Sequence, residues 1–228
     1  MFYMFDTVDL MLLIPAIILA IWAQMRVSST YAKYRKIDSL QGVTGAKAAE
    51  YLLNQNGVYD VTIEAIEGKL TDHYDPRSKT LRLSEDNYRG HSLAAIAVAA
   101  HEVGHAIQHH TSYAPLKFRH TILPAANFGS WAAFPLFIAG LFIPSFSFLM
   151  DVGIVFFAGV VLFHFITLPV EFNASNRALK QLASHGMLLE QEVGGAKKVL
   201  NAAALTYVAA TAVALMNLIR LVLIRGQE

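Results

Sequence analysis

The chain has 228 residues, of which 55% are hydrophobic, and its formal net charge is +1 at pH 7. A hydrophobic share this high predicts a membrane protein, and the near-neutral charge argues against a nucleic-acid partner. The sequence contains no cysteine, which excludes disulfides and thiolate ligands. Any zinc ion must therefore be held by His, Glu or Asp side chains.

The first apolar run extends over residues 10–23 and can be lengthened by one or two residues at each end. Its length, with these flanks, approaches the thickness of a bilayer. Acidic residues precede the run and Arg26 follows it. A signal peptide has a positively charged start and a small-residue cleavage site, and neither is evident here. We therefore expect a retained membrane anchor.

The polar segment that follows predicts one short helix, one strand and two further short β-prone runs joined by a turn. Thr44 is a suitable N-cap for a helix through AKAAEYLLNQ, and Asn56-Gly57 is a suitable stop. Residues 60–67 alternate as a strand does. In LTDHYDPRSKTLRLS, residues 74–78 have turn chemistry and separate two short β-prone runs, the second of which is residues 79–84. An edge of this second run is a candidate for pairing with an extended peptide substrate; a purely structural hairpin is the alternative.

The sequence His101-Glu102-Val103-Gly104-His105 lies in an alanine-rich run that predicts a helix. Residues four apart share one face of a helix, so His101 and His105 can bind a single cation. This is the H-E-x-x-H pattern of zinc-dependent hydrolases. Catalytic zinc keeps one position for water, and Glu102 is the expected general base that deprotonates it. A third protein ligand is still required.

Two further apolar runs, residues 122–143 and 152–170, are separated by a short turn. Both are long enough to span a bilayer. A fourth candidate, residues 204–224, is interrupted by Asn217 and Arg220, so it is either a further span or a helix that lies at the membrane surface.

Most of the 18 Lys and Arg residues fall in two polar stretches, residues 26–119 and 177–198, and none lies in the turn between the second and third apolar runs. Basic residues are enriched in the cytoplasmic loops of membrane proteins. The charge distribution therefore predicts that both polar stretches lie in the cytoplasm.

Glu171 follows directly after the third apolar run. A carboxylate at such a boundary is costly unless it is solvated, paired or bound to a metal. Two predicted spans separate it from His105, so both groups should emerge on the same side of the membrane. Glu171 is therefore the expected third ligand; the alternative is that it only favours the start of a helix.

The segments DHYDPRSKTLRLS and SLAAIAVAAHEVGHAIQHH, with EFNAS further on, resemble those of the YugP-like bacterial membrane zinc metallopeptidases, which look like gluzincins. The resemblance covers nearly the whole chain. It implies a single Zn²⁺ per chain bound by His101, His105 and Glu171. It also implies that Glu102 is the general base of a neutral metallopeptidase.

One departure from related membrane gluzincins concerns the position four residues after the glutamate ligand. Those proteins carry an acidic residue there, and this sequence has a serine. The group that orients the ligand histidines is therefore open. Candidates for that role are Ser175, Asn173, Asn176 and Arg177. Candidates for the donor that stabilises the oxyanion are His185, Tyr74, Tyr88, Arg177 and His164.

The predicted fold is mainly α: an integral membrane helical bundle with a zincin-like cytoplasmic site and a small β-element. The predicted function is a zinc metalloendopeptidase of the bacterial plasma membrane, which would act on polypeptides that are membrane-associated or unfolded. The alternatives are an inactive zinc-binding membrane scaffold, against which the intact Glu102 argues, and a metal-handling membrane protein. The predicted segments are an anchor (1–25), a catalytic segment (26–121), a transmembrane hairpin (122–170), a cytoplasmic helix (171–203) and a hydrophobic C-terminal helix (204–228).

Overall fold

The computed structural model describes residues 7–227, so the first six residues of the predicted anchor and Glu228 lie outside the described residues. The fold is mainly α, as predicted. The elements are α1 (Thr7–Tyr34), α2 (Gly45–Gln55), β1 (Thr62–Ile66), β2 (His73–Asp75), β3 (Thr80–Ser84), α3 (Glu85–Arg89), α4 (Leu93–His110), α5 (Ala114–Phe142), a 3-10 turn (Pro144–Phe146), α6 (Phe148–Ser184) and α7 (Glu190–Arg225).

Four helices, α1, α5, α6 and α7, are long and apolar enough to cross a membrane. Helix α6 has 37 residues, so the third predicted span and the helix that carries Glu171 are one continuous element. Helix α7 has 36 residues and includes the fourth candidate span. The predicted membrane character of the chain is confirmed.

The chain divides into two compact units. Of the described residues, the first contains 7–23, 117–169 and 206–227, and the second contains 24–116 and 170–205. In the first unit, Arg225 at the end of α7 donates through Nε and Nη2 to the two carboxylate oxygens of Asp151 at the start of α6, at 2.8 and 2.9 Å. This bidentate pair gives Arg225 an anionic partner at the end of the fourth apolar helix.

The second unit contains the sheet, whose strand order is β1-β3-β2. Strand β1 is parallel to β3, with Thr62 opposite Thr80, and β2 is antiparallel to β3, with His73 opposite Arg82. Because β3 lies between the other two strands, the prediction that residues 79–84 offer a peptide-binding edge is wrong. Within residues 7–227, the outer strands of this sheet are β1 and β2.

Local capping sets the ends of the helices that carry the second unit. Thr44 caps α2 as predicted, because its hydroxyl accepts a hydrogen bond from the backbone N–H of Lys47. Gly57, with a φ of +70°, follows the end of α2, as predicted. Ser92 caps α4 in the same way, accepting from the N–H of Ala95 at 3.2 Å. The helix that carries the motif therefore begins eight residues before His101 and is regular at the motif.

Candidate metal centre

The three predicted ligands meet in the second unit. Helix α4 carries His101 and His105, whose ring centroids lie 4.8 Å apart at an interplanar angle of 84°. Helix α6 carries Glu171, and its Oε2 lies 3.3 Å from His101 Nε2 and 3.5 Å from His105 Nε2. One ligand atom from each residue lies within 4.8 Å of the other two. The structure thus brings together residues that are more than sixty positions apart in the sequence.

The spacing of these atoms fits a zinc ion. Tetrahedral zinc with bonds of about 2.0–2.1 Å separates its ligand atoms by about 3.3–3.4 Å, close to the distances between Glu171 Oε2 and the two imidazole nitrogens. Glu171 is only 2% exposed, and a buried carboxylate is costly without a compensating positive charge. Two imidazoles and a carboxylate are also the ligand types that zinc accepts.

Gly104 allows the two ligand-bearing helices to approach each other. A Cβ atom at this position would lie 2.7 Å from the carbonyl oxygen of Ala174 and 3.1 Å from its Cα. Such distances are shorter than normal van der Waals contacts, so a side chain there would push α6 away from α4. The glycine between the two histidines therefore has a structural reason, which is the convergence of Glu171 with the histidines.

Ser175 contacts the first ligand histidine. It lies one helical turn after Glu171 on α6, and its hydroxyl is 3.1 Å from His101 Nδ1. The serine is buried. Of the candidates for orienting the ligand histidines, Ser175 is the one that the structure places in hydrogen-bonding contact with a ligand ring.

Gln108 contacts the second ligand histidine and was missed by the sequence analysis. Its Oε1 lies 3.0 Å from His105 Nδ1, and the residue is fully buried. Its Nε2 donates to the Val170 carbonyl at 2.8 Å and to Asn173 Oδ1 at 3.0 Å. The sequence did contain a signal, since residues three apart are neighbours on a helix surface and Gln108 follows His105 by three.

Glu102 is 8% exposed and follows His101 on α4, so its Cα is rotated from that of His101 by about 100° around the helix axis.

The electrostatic field at the His105 ring is negative. Burial of the His105 imidazole disfavours its charged form, but the hydrogen bond to Glu171 and the charges of Glu171 and Glu102 outweigh burial and raise the His105 pKa. A site that stabilises positive charge in this way suits a cation.

The other predicted site residues lie at different distances from this centre. Arg177 reaches it indirectly, because its Nε donates to Asn173 Oδ1 at 2.7 Å and its guanidinium lies 5.9 Å from the centroid of the Tyr113 ring. His185 packs edge-on against Tyr51, about 20 Å along the helix axis from Glu171. The structure therefore does not bring His185 to the metal ligands.

The remaining candidate oxyanion donors also have other surroundings. The Tyr74 hydroxyl is 2.9 Å from His109 Nδ1, and burial, with the charges of Asp60 and Asp75, raises the Tyr74 pKa to about 12. Tyr88 lines a cavity of about 570 Å³ beside α2 and β1. His164 belongs to the apolar part of α6, in the first unit.

A helix-borne histidine pair and a buried glutamate on a second helix, in a chain with four apolar helices, define a membrane protein with a candidate zinc site of the H-E-x-x-H type. The sequence profile described as "Putative neutral zinc metallopeptidase" matches residues 9–226. The chain therefore belongs to this family of zinc metallopeptidases, as its sequence resemblance predicted.

A curated relative agrees with this assignment. The chain is 50% identical over 213 residues to the "Putative membrane protease YugP" of Bacillus subtilis (strain 168), an alignment that covers 93% of this chain and 94% of that protein. No solved structure matches the chain. Membership in the family and the apolar helices together support a zinc-dependent peptidase of the membrane.

Proposed function

We propose that this protein is a membrane metalloendopeptidase in which His101, His105 and Glu171 hold one zinc ion and Glu102 is the general base. The observation that carries the proposal is the convergence of the three ligand atoms within 4.8 Å of one another. Glu102 lies on the same helix as both histidines and is buried with them. A site with only a structural metal has no need of a carboxylate at that position.

Each residue has a defined task in this proposal. Zinc, when bound, would supply a Lewis acid that polarises the scissile carbonyl and acidifies a water molecule. Glu102 accepts a proton from the attacking water and delivers it to the amine that leaves. Because Glu102 and the histidines share one regular helix, the base and the ligands keep a fixed relative position.

Ser175 orients His101 in this proposal. With its Nδ1–H donating to the serine oxygen, His101 presents Nε2 to Glu171 and to the metal. The serine thus takes the place of the acidic residue that related membrane gluzincins carry. A hydroxyl adds no further negative charge beside Glu102 and Glu171, so the net charge of the centre is less negative than with a carboxylate.

The active site faces the cytoplasm in this proposal, and the substrates are membrane-associated or unfolded polypeptides. The concentration of Lys and Arg in residues 26–119 and 177–198 supports the cytoplasmic side. The location of Glu171 directly after an apolar run supports a substrate that lies near the bilayer surface.

The test is the zinc content of the detergent-purified full chain, measured together with casein hydrolysis. We expect one zinc per chain in the wild type and in Glu102→Gln, and loss of zinc in Glu171→Ala. Hydrolysis should persist only in the wild type and in the control Glu67→Gln, which alters an exposed glutamate. Zinc retained in Glu171→Ala would exclude Glu171 as a ligand, and hydrolysis retained in Glu102→Gln would exclude the proposed base.

A further inference from the structure

A series of partly buried hydrogen bonds runs from Arg177 through Asn173 and Gln108 to His105. We propose that Gln108 is a positioning residue that fixes the tautomer of His105, so that Nδ1 carries the proton and Nε2 is the nitrogen available to the metal. This inference rests on the proposed zinc site, and it concerns a residue outside the H-E-x-x-H motif.

Arg177 determines which atoms donate and which accept in this series of hydrogen bonds. A guanidinium can only donate hydrogen bonds. The Asn173 atom 2.7 Å from Arg177 Nε must therefore be the amide oxygen. The Gln108 atom 3.0 Å from that same oxygen must be a donor, which identifies it as the amide nitrogen.

The Val170 carbonyl gives the same orientation independently. A backbone carbonyl can only accept, and it lies 2.8 Å from the same Gln108 nitrogen. Both N–H groups of the Gln108 amide are thus committed to oxygen atoms. The remaining Gln108 atom, 3.0 Å from His105 Nδ1, is the amide oxygen.

The consequence for His105 is a fixed arrangement of its ring nitrogens. Since the Gln108 oxygen can only accept, Nδ1 of His105 keeps its proton, and Nε2 is the nitrogen available to a metal. This Nε2 atom lies 3.5 Å from the Glu171 oxygen at the centre of the site. Gln108 is fully buried, so a side chain of similar size without the amide oxygen leaves the Nδ1–H of His105 without its acceptor.

Ser175, which contacts His101, does not determine which ring nitrogen of that histidine carries the proton. A serine hydroxyl can donate or accept and can rotate to suit its neighbour, so Ser175 is compatible with either tautomer of His101. Of the two histidine rings, His105 is therefore the one whose partner has an amide orientation fixed by two other oxygen atoms. Removal of Gln108 should accordingly weaken zinc binding more than removal of the Ser175 hydroxyl.

The experiment measures zinc affinity of the full chain in detergent, by competition with a chelator, for Gln108→Met, Gln108→Glu and Gln181→Met. Gln181 is the matched control, because it donates to Asn56 in the same unit and contacts no ligand. We expect about 10- to 100-fold weaker binding in Gln108→Met. Gln108→Glu keeps an acceptor for Nδ1 but loses both donated hydrogen bonds, so it should recover only part of this loss, and Gln181→Met should bind as the wild type does. Equal affinity in Gln108→Met and Gln181→Met overturns the inference.

A second measurement does not depend on the folding of any variant. ¹⁵N spectra of the histidine-labelled, zinc-loaded wild type should show a proton on Nδ1 of His105 and the metal on Nε2; the reverse assignment overturns the inference. A wild type that binds no zinc overturns the proposed function as well. A wild type that binds zinc with an affinity independent of Gln108 overturns only the role of Gln108.

Discussion

Large apolar side chains are exposed more often in the first unit than in the second. Trp131 and Val155 of the first unit are 75% and 68% exposed, whereas Leu52 and Ile96 of the second unit are fully buried. Helices apolar enough to cross a membrane form the first unit, and lipid is a favourable environment for such surfaces. Lipid around the first unit and water around the second would produce this difference in burial.

Glycine at a helix contact has a different role in each of the two units. In the first unit, a Cβ at Gly153 would lie 2.7 Å from the Ala133 carbonyl oxygen, and in the second unit a Cβ at Gly104 would lie equally close to that of Ala174. Small residues at helix contacts are a usual means of close packing in membranes. At Gly104 the same close approach also aligns the candidate ligands. The same kind of helix contact therefore supports only packing in the first unit, but also a candidate active site in the second.

The substitutions Gly104→Ala and Gly153→Ala should separate these two roles. Of all the substitutions proposed, we expect Gly104→Ala to have the largest effect. We expect each substitution to destabilise the protein by about 1–3 kcal/mol through overpacking. Only Gly104→Ala should also abolish zinc binding, because it moves α6 away from the histidines. Zinc content and thermal unfolding of both variants provide the measurement.

The control is Gly194→Ala, since a Cβ atom at Gly194 meets no other atom within 4 Å. Alanine is a better helix former than glycine, so this variant should be as stable as the wild type or slightly more stable. If Gly104→Ala retained full zinc binding, the close approach of α4 and α6 would not be what aligns the ligands.

Removal of zinc with a chelator should affect the second unit more than the first. A ligand that binds only the folded state stabilises it by about 2.7 kcal/mol when its free concentration is 100 times its Kd. Hydrogen exchange should therefore increase in α4 and around Glu171 and change little in α5. Equal increases in both units would show that the metal stabilises the whole chain and not only its binding region.

Ser175→Ala should weaken zinc binding by about 10-fold, the lower end of the range for groups that orient ligands. The loss should be smaller than in Gln108→Met, because the hydroxyl does not select a tautomer of His101. Ser184→Ala, at an exposed position on the same helix, is the control. Zinc affinities of these variants, measured by chelator competition, would reveal the opposite order if Ser175 were the more important partner.

The sequence alone predicted the three residues that converge at the candidate site. His101 and His105 follow from the helical repeat, and Glu171 follows from its position after an apolar run and the number of spans before it. The position of β3 between β1 and β2 was not predicted, because strand order depends on contacts between distant segments. Gln108 was missed because its partners, Val170 and Asn173, lie on another helix and come close only in the fold.

Asp151→Asn should have the smallest effect, since it alters a partly exposed ion pair of the first unit that includes none of the candidate ligands. The side chain of Asp151 is 55% exposed and that of Arg225 is 31% exposed, and exposed ion pairs contribute little to stability. We expect a slightly lower thermal midpoint, with zinc content and casein hydrolysis unchanged. Loss of hydrolysis in Asp151→Asn, with the fold intact, would mean that the two units are coupled and that the separation of packing from chemistry between them is incomplete.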